Sequence, residues 1–311
     1  MSEYQPQWPN GSRTAVVLTI DNMGEAADLD RGLWPDDEPI GKHFSVFDVL
    51  PNFLAILRKY DIKATYFIES WNLSVYRDAI AKQIARDGHE IGWHAWRHET
   101  WSKLKDADAE RSNIAKSFGS EGLEGYHANA TSEDWATTVY KGFRPPGGII
   151  HGLRTLELCA DYGLQYVSPA GFDASLVKLN NGQRSIVVLP FRWSTVDAYF
   201  YMKTFTKLRK IKSELPEEPQ SPEVLRHRYV AQVDHAIDAG GYLSLLFHPF
   251  LNAEPERLRA FEEVVQYLAK KRDRGEVWLA RCCDVAQCVL ANPDLVPSGF
   301  ESPILDETIW R

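Results

Sequence analysis

Residues 62–94, IKATYFIESWNLSVYRDAIAKQIARDGHEIGWH, decide the fold because they hold two short apolar runs with a helical pattern between them. The runs IKATYFIE and HEIGWH are rich in β-branched and aromatic residues, which is typical of buried strands. The intervening YRDAIAKQIARDG carries apolar residues at helical spacing, and Gly88 ends it as a helix stop. Strands joined through a helix pair in parallel, so this stretch predicts a βαβ unit.

The same alternation of strand and helix patterns runs along the rest of the chain. TAVVLTID and the helical VLPNFLAILRKY precede the unit, and QYVSPA, SIVVLPF, YLSLLFH and EVWLA alternate with further helical segments after it. About seven strand and helix units fit, which predicts an α/β barrel rather than an open fold of two domains. For 311 residues we expect one catalytic domain over 1–311, with a core at about 13–290 and a surface tail at 291–311.

Two long segments interrupt this rhythm. Residues 25–46, EAADLDRGLWPDDEPIGKHFSV, follow the first strand, at the point where α/β proteins build their substrate loops. We expect residues 100–140 to wall the same mouth of the barrel. The sequence therefore predicts a binding site at the carboxyl ends of the strands, with the first insertion closing over it.

Composition and charge exclude several classes of function. Hydrophobic residues make up 44% of the chain and charged residues 25%, and no apolar run approaches the roughly 18 residues of a membrane span. A net charge of −8, with Lys and Arg scattered, would repel a phosphate backbone, so we expect neither a nucleic-acid nor a membrane partner. The start, MSEYQPQWPNGSR, lacks a secretory signal, which predicts a cytoplasmic protein, or an extracellular one if the chain is processed or exported by another route.

Polar side chains, most of them ionisable, recur where the predicted strands end. The carboxyl ends of parallel barrel strands meet on one face. These residues are Asp21, Asn22, His94, His98, Arg144 and His248. Histidines four positions apart on a helix lie roughly 5–6 Å from each other, close enough to hold one metal ion. The alternative interpretation of the pair is two ordinary surface histidines on a helical turn.

Four motifs in order, TIDNMGE, HEIGWHAWRH, FRPPGG and LSLLFHPF, resemble those of the polysaccharide deacetylase family (NodB homology, carbohydrate esterase family 4). The resemblance spans about residues 13–290. It implies a deformed (β/α)7 TIM-like barrel that hydrolyses the acetamide of an N-acetylated sugar. It also implies a divalent metal, with zinc expected and cobalt or nickel as alternatives, and no organic cofactor.

The same resemblance implies roles for individual residues. It makes Asp21 the catalytic base, His94 and His98 metal ligands, Arg144 the partner that keeps the base ionised, and His248 the acid that protonates the leaving amine. Asp197 lies in the region where the family has an acidic residue that orients either the arginine or the acid, and Asp173 is the other candidate for that role.

One position departs from the family pattern, since Asn22 stands where the third metal ligand is usually an aspartate. An amide oxygen can coordinate a metal but carries no charge, so we expect weaker binding. Glu25 either supplies the missing carboxylate, as a ligand, base or substrate contact, or is a solvated loop residue. Further substrate contacts are predicted at Trp96 and Trp193, whose rings can stack on sugars, and at Pro146 and Gly147.

Three functions remain open on the sequence. The favoured one is de-N-acetylation of N-acetylglucosamine units in chitin oligomers or a related glycan, with release of acetate. The second is opening of a small cyclic amide, because GE after the first motif and HP after the last strand also resemble a divergent branch with allantoinase-like and cyclic-imide hydrolases. The third is a non-catalytic carbohydrate-binding barrel. A covered pocket favours the imide and an open groove the oligosaccharide; the oligomeric state and the preferred glycan length stay open.

Overall fold

The computed structural model describes residues 8–129 and 140–299. Two predictions extend past these residues. Part of the predicted wall, 130–139, and part of the predicted tail, from 300 onward, lie outside the described residues. The organisation of the whole chain as one domain therefore stays a prediction.

Nine strands of the described chain join one curled sheet. They are β1 (Thr14–Asp21), β2 (Thr65–Ile68), β3 (Glu90–Trp93), β4 (Gly142–Phe143), β5 (Tyr166–Val167), β6 (Ser175–Leu179), β7 (Arg184–Val188), β8 (Gly241–Phe247) and β9 (Val277–Ala280).

The α-helices of the described residues cover the outside of this sheet or lie in its connections. They are α1 (Ala26–Asp30), α2 (Leu50–Lys59), α3 (Asn72–Val75), α4 (Arg77–Ala79), α5 (Ala107–Phe118), α6 (Leu123–Ala128), α7 (Leu153–Asp161), α8 (Asp197–Tyr201), α9 (Thr206–Lys212), α10 (Pro222–Ala239), α11 (Pro255–Asp273) and α12 (Cys282–Ala291). Two segments are π-helical. Ser45–Val49 leads directly into α2, and Ile80–Ala85 follows directly after α4. None of the described helices is long and apolar enough to cross a membrane.

The strand order, β6-β7-β5-β4-β3-β2-β1-β8 with β9 also on β1, is that of a deformed TIM-like α/β barrel, as predicted. Every strand pair is parallel except β6 with β7. The sequence pattern did not predict β6, which turns back onto β7 through a bend where Asn180 and Asn181 take positive φ angles. An isolated bridge, Val196 with Leu246, joins the segment after β7 to β8.

Strand β1 is the centre of the molecule, and all eight of its residues are buried. It pairs with β8 along nearly its whole length on one edge. On its other edge it pairs first with β9 and then with β2. A strand buried on both faces has an almost continuously apolar sequence, which explains why TAVVLTID was recognisable as a strand. Its last residue, Asp21, is therefore a carboxylate carried into the interior by an apolar strand.

Helices hold the sheet from outside through apolar faces. The rings of Phe53 on α2 and Phe261 on α11 stack with centroids 3.9 Å apart, and Phe261 also meets Phe247 at the end of β8. Aromatic pairs of this kind contribute stabilisation beyond their buried area. This packing fixes the carboxyl end of β8, which is followed directly by His248.

The insertion at 25–46 is tied down by one buried carboxylate. Glu25 accepts a hydrogen bond from the Gly41 amide at 2.6 Å and another from the Tyr76 hydroxyl. That hydroxyl in turn accepts from the His43 amide at 3.1 Å. Because both ends of the insertion meet at Glu25 and Tyr76, the segment between them folds back across the mouth of the barrel.

Candidate active site

Polar side chains follow five strands directly at the point where each strand ends. Asp21 ends β1, and Glu69, His94, Arg144 and His248 come immediately after β2, β3, β4 and β8. Each of the five is buried, at 9% exposure or less. The carboxyl ends of parallel strands bring these groups to one face of the sheet, as the sequence predicted for all of them except Glu69.

A cavity of about 410 Å³ opens at this face. The predicted site residues that line it are Asp21, Asn22, His94, His98, Gly147, Trp193 and His248. Much of the remaining wall is apolar, with Phe191, Met202, Phe205 and Phe250, while the insertion contributes Arg31 and Leu33. The insertion therefore lies over the cavity, as expected of a loop that follows the first strand.

Asp21 is paired with Arg144 inside the barrel. The guanidinium donates to Asp21 Oδ1 at 2.9 Å, to Thr19 Oγ1 at 2.8 Å and to Ser168 Oγ at 2.9 Å. It also lies over the Phe67 ring, 4.3 Å from the ring centroid. Burial raises the pKa of the Asp21 carboxyl above its usual value, and the charge of Arg144 opposes that rise. The arginine thus fixes one carboxylate oxygen and favours its ionised form.

His248 is paired with Asp197. Its Nδ1 lies 2.5 Å from Asp197 Oδ1, and its backbone N–H donates to Asp197 Oδ2 at 2.8 Å. Asn252 donates to the same Oδ2 at 2.8 Å, so the carboxylate is held from two sides. Burial disfavours the charged imidazole, but the Asp197 carboxylate outweighs it and raises the pKa of His248. The sequence left open whether Asp197 orients the arginine or the acid; in the structure it contacts the histidine.

His94 and His98 meet, although the helical turn expected for them is wrong. Residues 95–97 form a turn, in which Ala95 has a φ of 65°, and His98 follows with a φ of 76°. The pairing of β2 with β3 continues into this turn, because His94 N–H donates to Ile68 O at 2.9 Å. The two imidazole centroids are 4.9 Å apart. A tight turn therefore brings the two imidazoles together, as the helix expected from their spacing would have done.

Both histidines are neutral and suited to bind a cation. Burial lowers the pKa of His94 well below its usual value and that of His98 to about 3. His94 Nδ1 lies 2.7 Å from the Arg144 carbonyl oxygen, which fixes the ring and leaves Nε2 for another partner. Arg31 of the insertion approaches His98 Nδ1 at 3.4 Å.

Glu69 is a site residue that the sequence analysis missed. It is fully buried, and its Oε2 accepts from the Met23 amide at 3.1 Å and from Asn72 Nδ2 at 2.9 Å. Burial raises its pKa to about 8. The available signal was an acidic residue directly after the apolar strand TYFI, the same signal that singled out Asp21.

The donor atoms present fit a divalent metal. One ligand atom each of Glu69, His94 and His98 lies within 4.8 Å of the others. Two buried oxygens, Glu69 Oε1 and Asn22 Oδ1, find no hydrogen-bond partner among the described residues. Buried polar atoms are nearly always paired, so unpaired ones require an explanation. Imidazole nitrogens together with a carboxylate oxygen are a set that zinc accepts.

Three predicted substrate contacts are not brought to the cavity wall. Both carboxylate oxygens of Glu25 are bonded within the insertion and to Tyr76, as described above. Trp96 is buried at 8% exposure, with the Lys116 ammonium 4.6 Å from the centre of its ring. Pro146 is buried, and its neighbour Gly147 lines the cavity instead.

Comparison with known proteins agrees with this geometry. The profile of the polysaccharide deacetylase family matches residues 10–167, about half of the chain. The chain belongs to the polysaccharide deacetylase family. Deacetylases of this family hydrolyse C–N bonds of acetylated glycans and generally use a divalent metal. The family that the sequence motifs predicted is thereby confirmed.

Curated relatives of this chain align over very different lengths. A peptidoglycan deacetylase of Helicobacter pylori is 22% identical over 270 residues, which cover 78% of this chain and 82% of the relative. An uncharacterised 30.6 kDa protein of Geobacillus stearothermophilus is 30% identical over 120 residues, or 37% of this chain and 38% of that protein. The chain thus spans well under half of the length of that second relative.

Solved structures share the fold of this chain. A candidate polysaccharide deacetylase of Mycobacterium smegmatis superposes with a TM-score of 0.74 at 24% identity, over 97% of this chain and 99% of the other. The PuuE allantoinase superposes with a TM-score of 0.69 at 17% identity, over 93% and 95%. At identities below 25%, these two structures show that the fold is shared.

Proposed function

We propose that this protein hydrolyses the amide C–N bond of an N-acetylated substrate with the help of a divalent metal. The observation that carries the proposal is the presence of two charged pairs, Asp21 with Arg144 and His248 with Asp197, at one cavity with His94 and His98. A base and an acid with separate partners are what amide hydrolysis needs, because water must lose a proton and the amine must gain one.

The roles of the residues follow from their partners. His94 and His98, with an oxygen ligand, would hold a divalent ion, which would supply Lewis acidity for the attack of water on the amide. Asp21 accepts the proton of that water, and Arg144 holds its carboxylate in place. His248 delivers a proton to the leaving amine nitrogen, while Asp197 keeps the imidazole oriented and charged.

Two substrate classes are supported by different observations. The family supports an N-acetylglucosamine unit of a chitin oligomer or a related glycan, and Trp193 in the cavity wall offers a ring for stacking on it. A small cyclic amide is supported by the size of the cavity, about 410 Å³, by its apolar wall and by the insertion residues Arg31 and Leu33 over it. Sugar hydroxyls desolvated against that wall would lose hydrogen bonds with water, which disfavours a long glycan inside the cavity.

One assay separates these classes. Acetate and free amine are measured with chitin oligomers, beside ring opening of succinimide, using enzyme stripped of metal and then resupplied with zinc, cobalt or nickel. Acetate release that returns with metal supports the deacetylase, and ring opening without acetate release supports the cyclic-amide hydrolase. If neither substrate reacts but the oligomers bind, the chain is a carbohydrate-binding barrel and the proposal fails.

Variants test the assigned roles in the same assay. Asp21→Asn and His248→Ala are expected to lower turnover by about 100-fold or more while the protein still binds metal, since each removes one proton transfer. Asp173→Asn is the matched control, because Asp173 is 82% exposed and pairs with Arg192 outside the cavity lining. Full activity of both site variants would show that the two residues do not carry the reaction.

A further inference from the structure

We propose that Glu69, at the end of β2, supplies the negatively charged ligand of the metal site, in place of the aspartate that Asn22 replaces at the end of β1. This inference rests on the proposed metal site and assigns its third ligand. It concerns a residue that no motif of the family resemblance included.

The position of Glu69 supports this assignment. It follows β2, which lies between β1 and β3 in the sheet, so its carboxylate stands between Asn22 on one side and His94 on the other. Its ligand atom lies within 4.8 Å of ligand atoms of both His94 and His98. Two donors, Met23 N–H and Asn72 Nδ2, hold Oε2, whereas Oε1 has no partner in the described chain. A carboxylate held by one oxygen with the other one free is oriented as a ligand is.

The charges around the histidines require an anion. The guanidinium groups of Arg31 and Arg144 approach the site, with Arg31 3.4 Å from His98 Nδ1 and Arg144 2.9 Å from Asp21 Oδ1. A dication next to these positive groups is repelled unless a carboxylate joins it. Asn22 offers only a neutral amide oxygen there.

The other nearby carboxylates are already engaged. Asp21 is paired with Arg144, and Asp197 is paired with His248 and Asn252. Glu25 uses both oxygens for Gly41 and Tyr76. Among the residues that the structure describes, Glu69 thus remains as the buried carboxylate with a free oxygen beside the two histidines.

In this site the charged ligand is at the end of β2, as Glu69, and the end of β1 carries the neutral Asn22 instead. The amide that holds Glu69 Oε2 belongs to Met23, the residue after Asn22, and Asn72 Nδ2 bridges Met23 O and the same carboxylate oxygen. Moving the charge from one strand end to the next preserves the charge of the site. We therefore expect ordinary rather than weakened metal affinity, contrary to what Asn22 alone predicts.

Metal binding, rather than turnover, is the test. The full chain is stripped of metal, and the affinity for Zn²⁺ and the visible absorption of bound Co²⁺ are measured for Glu69→Gln, Asn22→Asp and the double variant. Glu69→Gln is expected to weaken binding by about 100-fold and to change the Co²⁺ spectrum, since it removes a charged ligand. Asn22→Asp in the Glu69→Gln background is expected to restore most of that loss.

Glu90→Gln is the matched control. Glu90 is another buried carboxylate of the same sheet, but it begins β3, whereas His94 follows the end of that strand. This variant is expected to bind metal like the parent chain, and circular dichroism checks that every variant is folded. Recovery in the double variant separates loss of a ligand from loss of the fold.

The inference would be overturned by parental affinity and spectrum in Glu69→Gln, or by weakening that Asn22→Asp leaves unchanged. A parent chain that binds neither ion would overturn it as well. Failure of the proposed function gives a different outcome, in which metal binding depends on Glu69 but neither acetate release nor ring opening occurs. If the enzyme turns over substrate and its metal affinity is unchanged in Glu69→Gln, only this inference is refuted.

Discussion

At the scale of single residues, Asp197 is the charged neighbour with the largest effect on the pKa of His248, and Asp21 acts in the same direction. Asp197 raises the pKa of the imidazole against the effect of burial. The protonated form is the proton donor, so activity persists as the pH rises and is lost only as the pH passes this raised pKa. Asp197→Asn removes the carboxylate, lowers that pKa and is expected to move the alkaline limb of the kcat/KM profile to lower pH by about one unit or more.

The comparison that checks this prediction is the full pH profile of Asp197→Asn beside that of Asp173→Asn. Asp173 is exposed, so its neutralisation tests the effect of one lost charge without a contact to the histidine. An alkaline limb at the same pH in both variants would mean that Asp197 does not set the pKa of the acid.

Site residues could be predicted from the sequence where they stand at the ends of apolar strands. Asp21, His94 and His248 follow buried strands in the sequence, and the structure places all three at one cavity. Glu69 carries the same signal, but no motif of the family resemblance contains it. The partners of Glu25 were not predictable, since Tyr76 lies 51 positions away along the chain.

At the scale of elements, the insertion at 25–46 depends on the Tyr76 hydroxyl. Tyr76→Phe removes the donor to Glu25 and the acceptor for the His43 amide. Hydrogen bonds to charged groups contribute about 2 kcal/mol each, so amide exchange in the insertion is expected to rise by roughly thirtyfold. Hydrogen exchange read by mass spectrometry measures this for peptides of the insertion and of the sheet separately.

The control for this variant is Tyr162→Phe, because Tyr162 is 39% exposed at the end of α7. Exchange in β1 and β8 is expected to stay slow in both variants. Equal protection of the insertion in Tyr76→Phe and the parent chain would show that other contacts hold the insertion in place.

Strand β4 is short, and its first residue leaves no room for a side chain. A Cβ on Gly142 would lie 2.0–2.3 Å from three ring atoms of Tyr166, a buried residue of the neighbouring strand β5. Gly142→Ala is expected to lower the free energy of unfolding by about 3 kcal/mol, because a packed core resists added volume. Urea denaturation measures the change.

Gly163→Ala separates steric overlap from backbone strain in that experiment. Gly163 has a φ of +79°, and a Cβ there would meet nothing within 4 Å. Its replacement is expected to cost about 1 kcal/mol through the backbone alone. If Gly142→Ala costs no more than this, the contact with Tyr166 relaxes easily and the argument from packing is wrong.

Elements with strong periodicity were predictable, and turns were not. The βαβ pattern of residues 62–94 is present as β2 and β3 with helical segments between them. The turn after β3 was misread as a helix, since spacing alone does not reveal the positive φ angles of Ala95 and His98. Strand β6 was not recognised because the pattern of parallel units left no place for an antiparallel hairpin.

At the scale of the whole molecule, the candidate metal site exists only when the sheet is assembled. Asn22 comes from the end of β1, Glu69 from the end of β2, and His94 and His98 from the segment after β3. In the unfolded chain these groups are separated by dozens of residues and do not form a site. The barrel was predictable from its rhythm, but the set of groups that meet at its mouth depends on register and curvature, which single segments do not encode.

Metal binding is therefore expected to stabilise the fold. A ligand that binds only the folded state adds about 2.7 kcal/mol at a concentration 100 times its Kd, which corresponds to a rise in Tm of about 5 °C for a chain of this size. Thermal unfolding followed by circular dichroism, with Zn²⁺ and then with excess chelator, measures the difference.

His94→Ala is expected to abolish the rise in Tm, whereas His227→Ala, which changes an exposed histidine on α10, is expected to keep it. Comparing the shift rather than the Tm itself corrects for any destabilisation by the substitutions. Equal shifts in both variants would place the bound zinc away from the carboxyl ends of the strands.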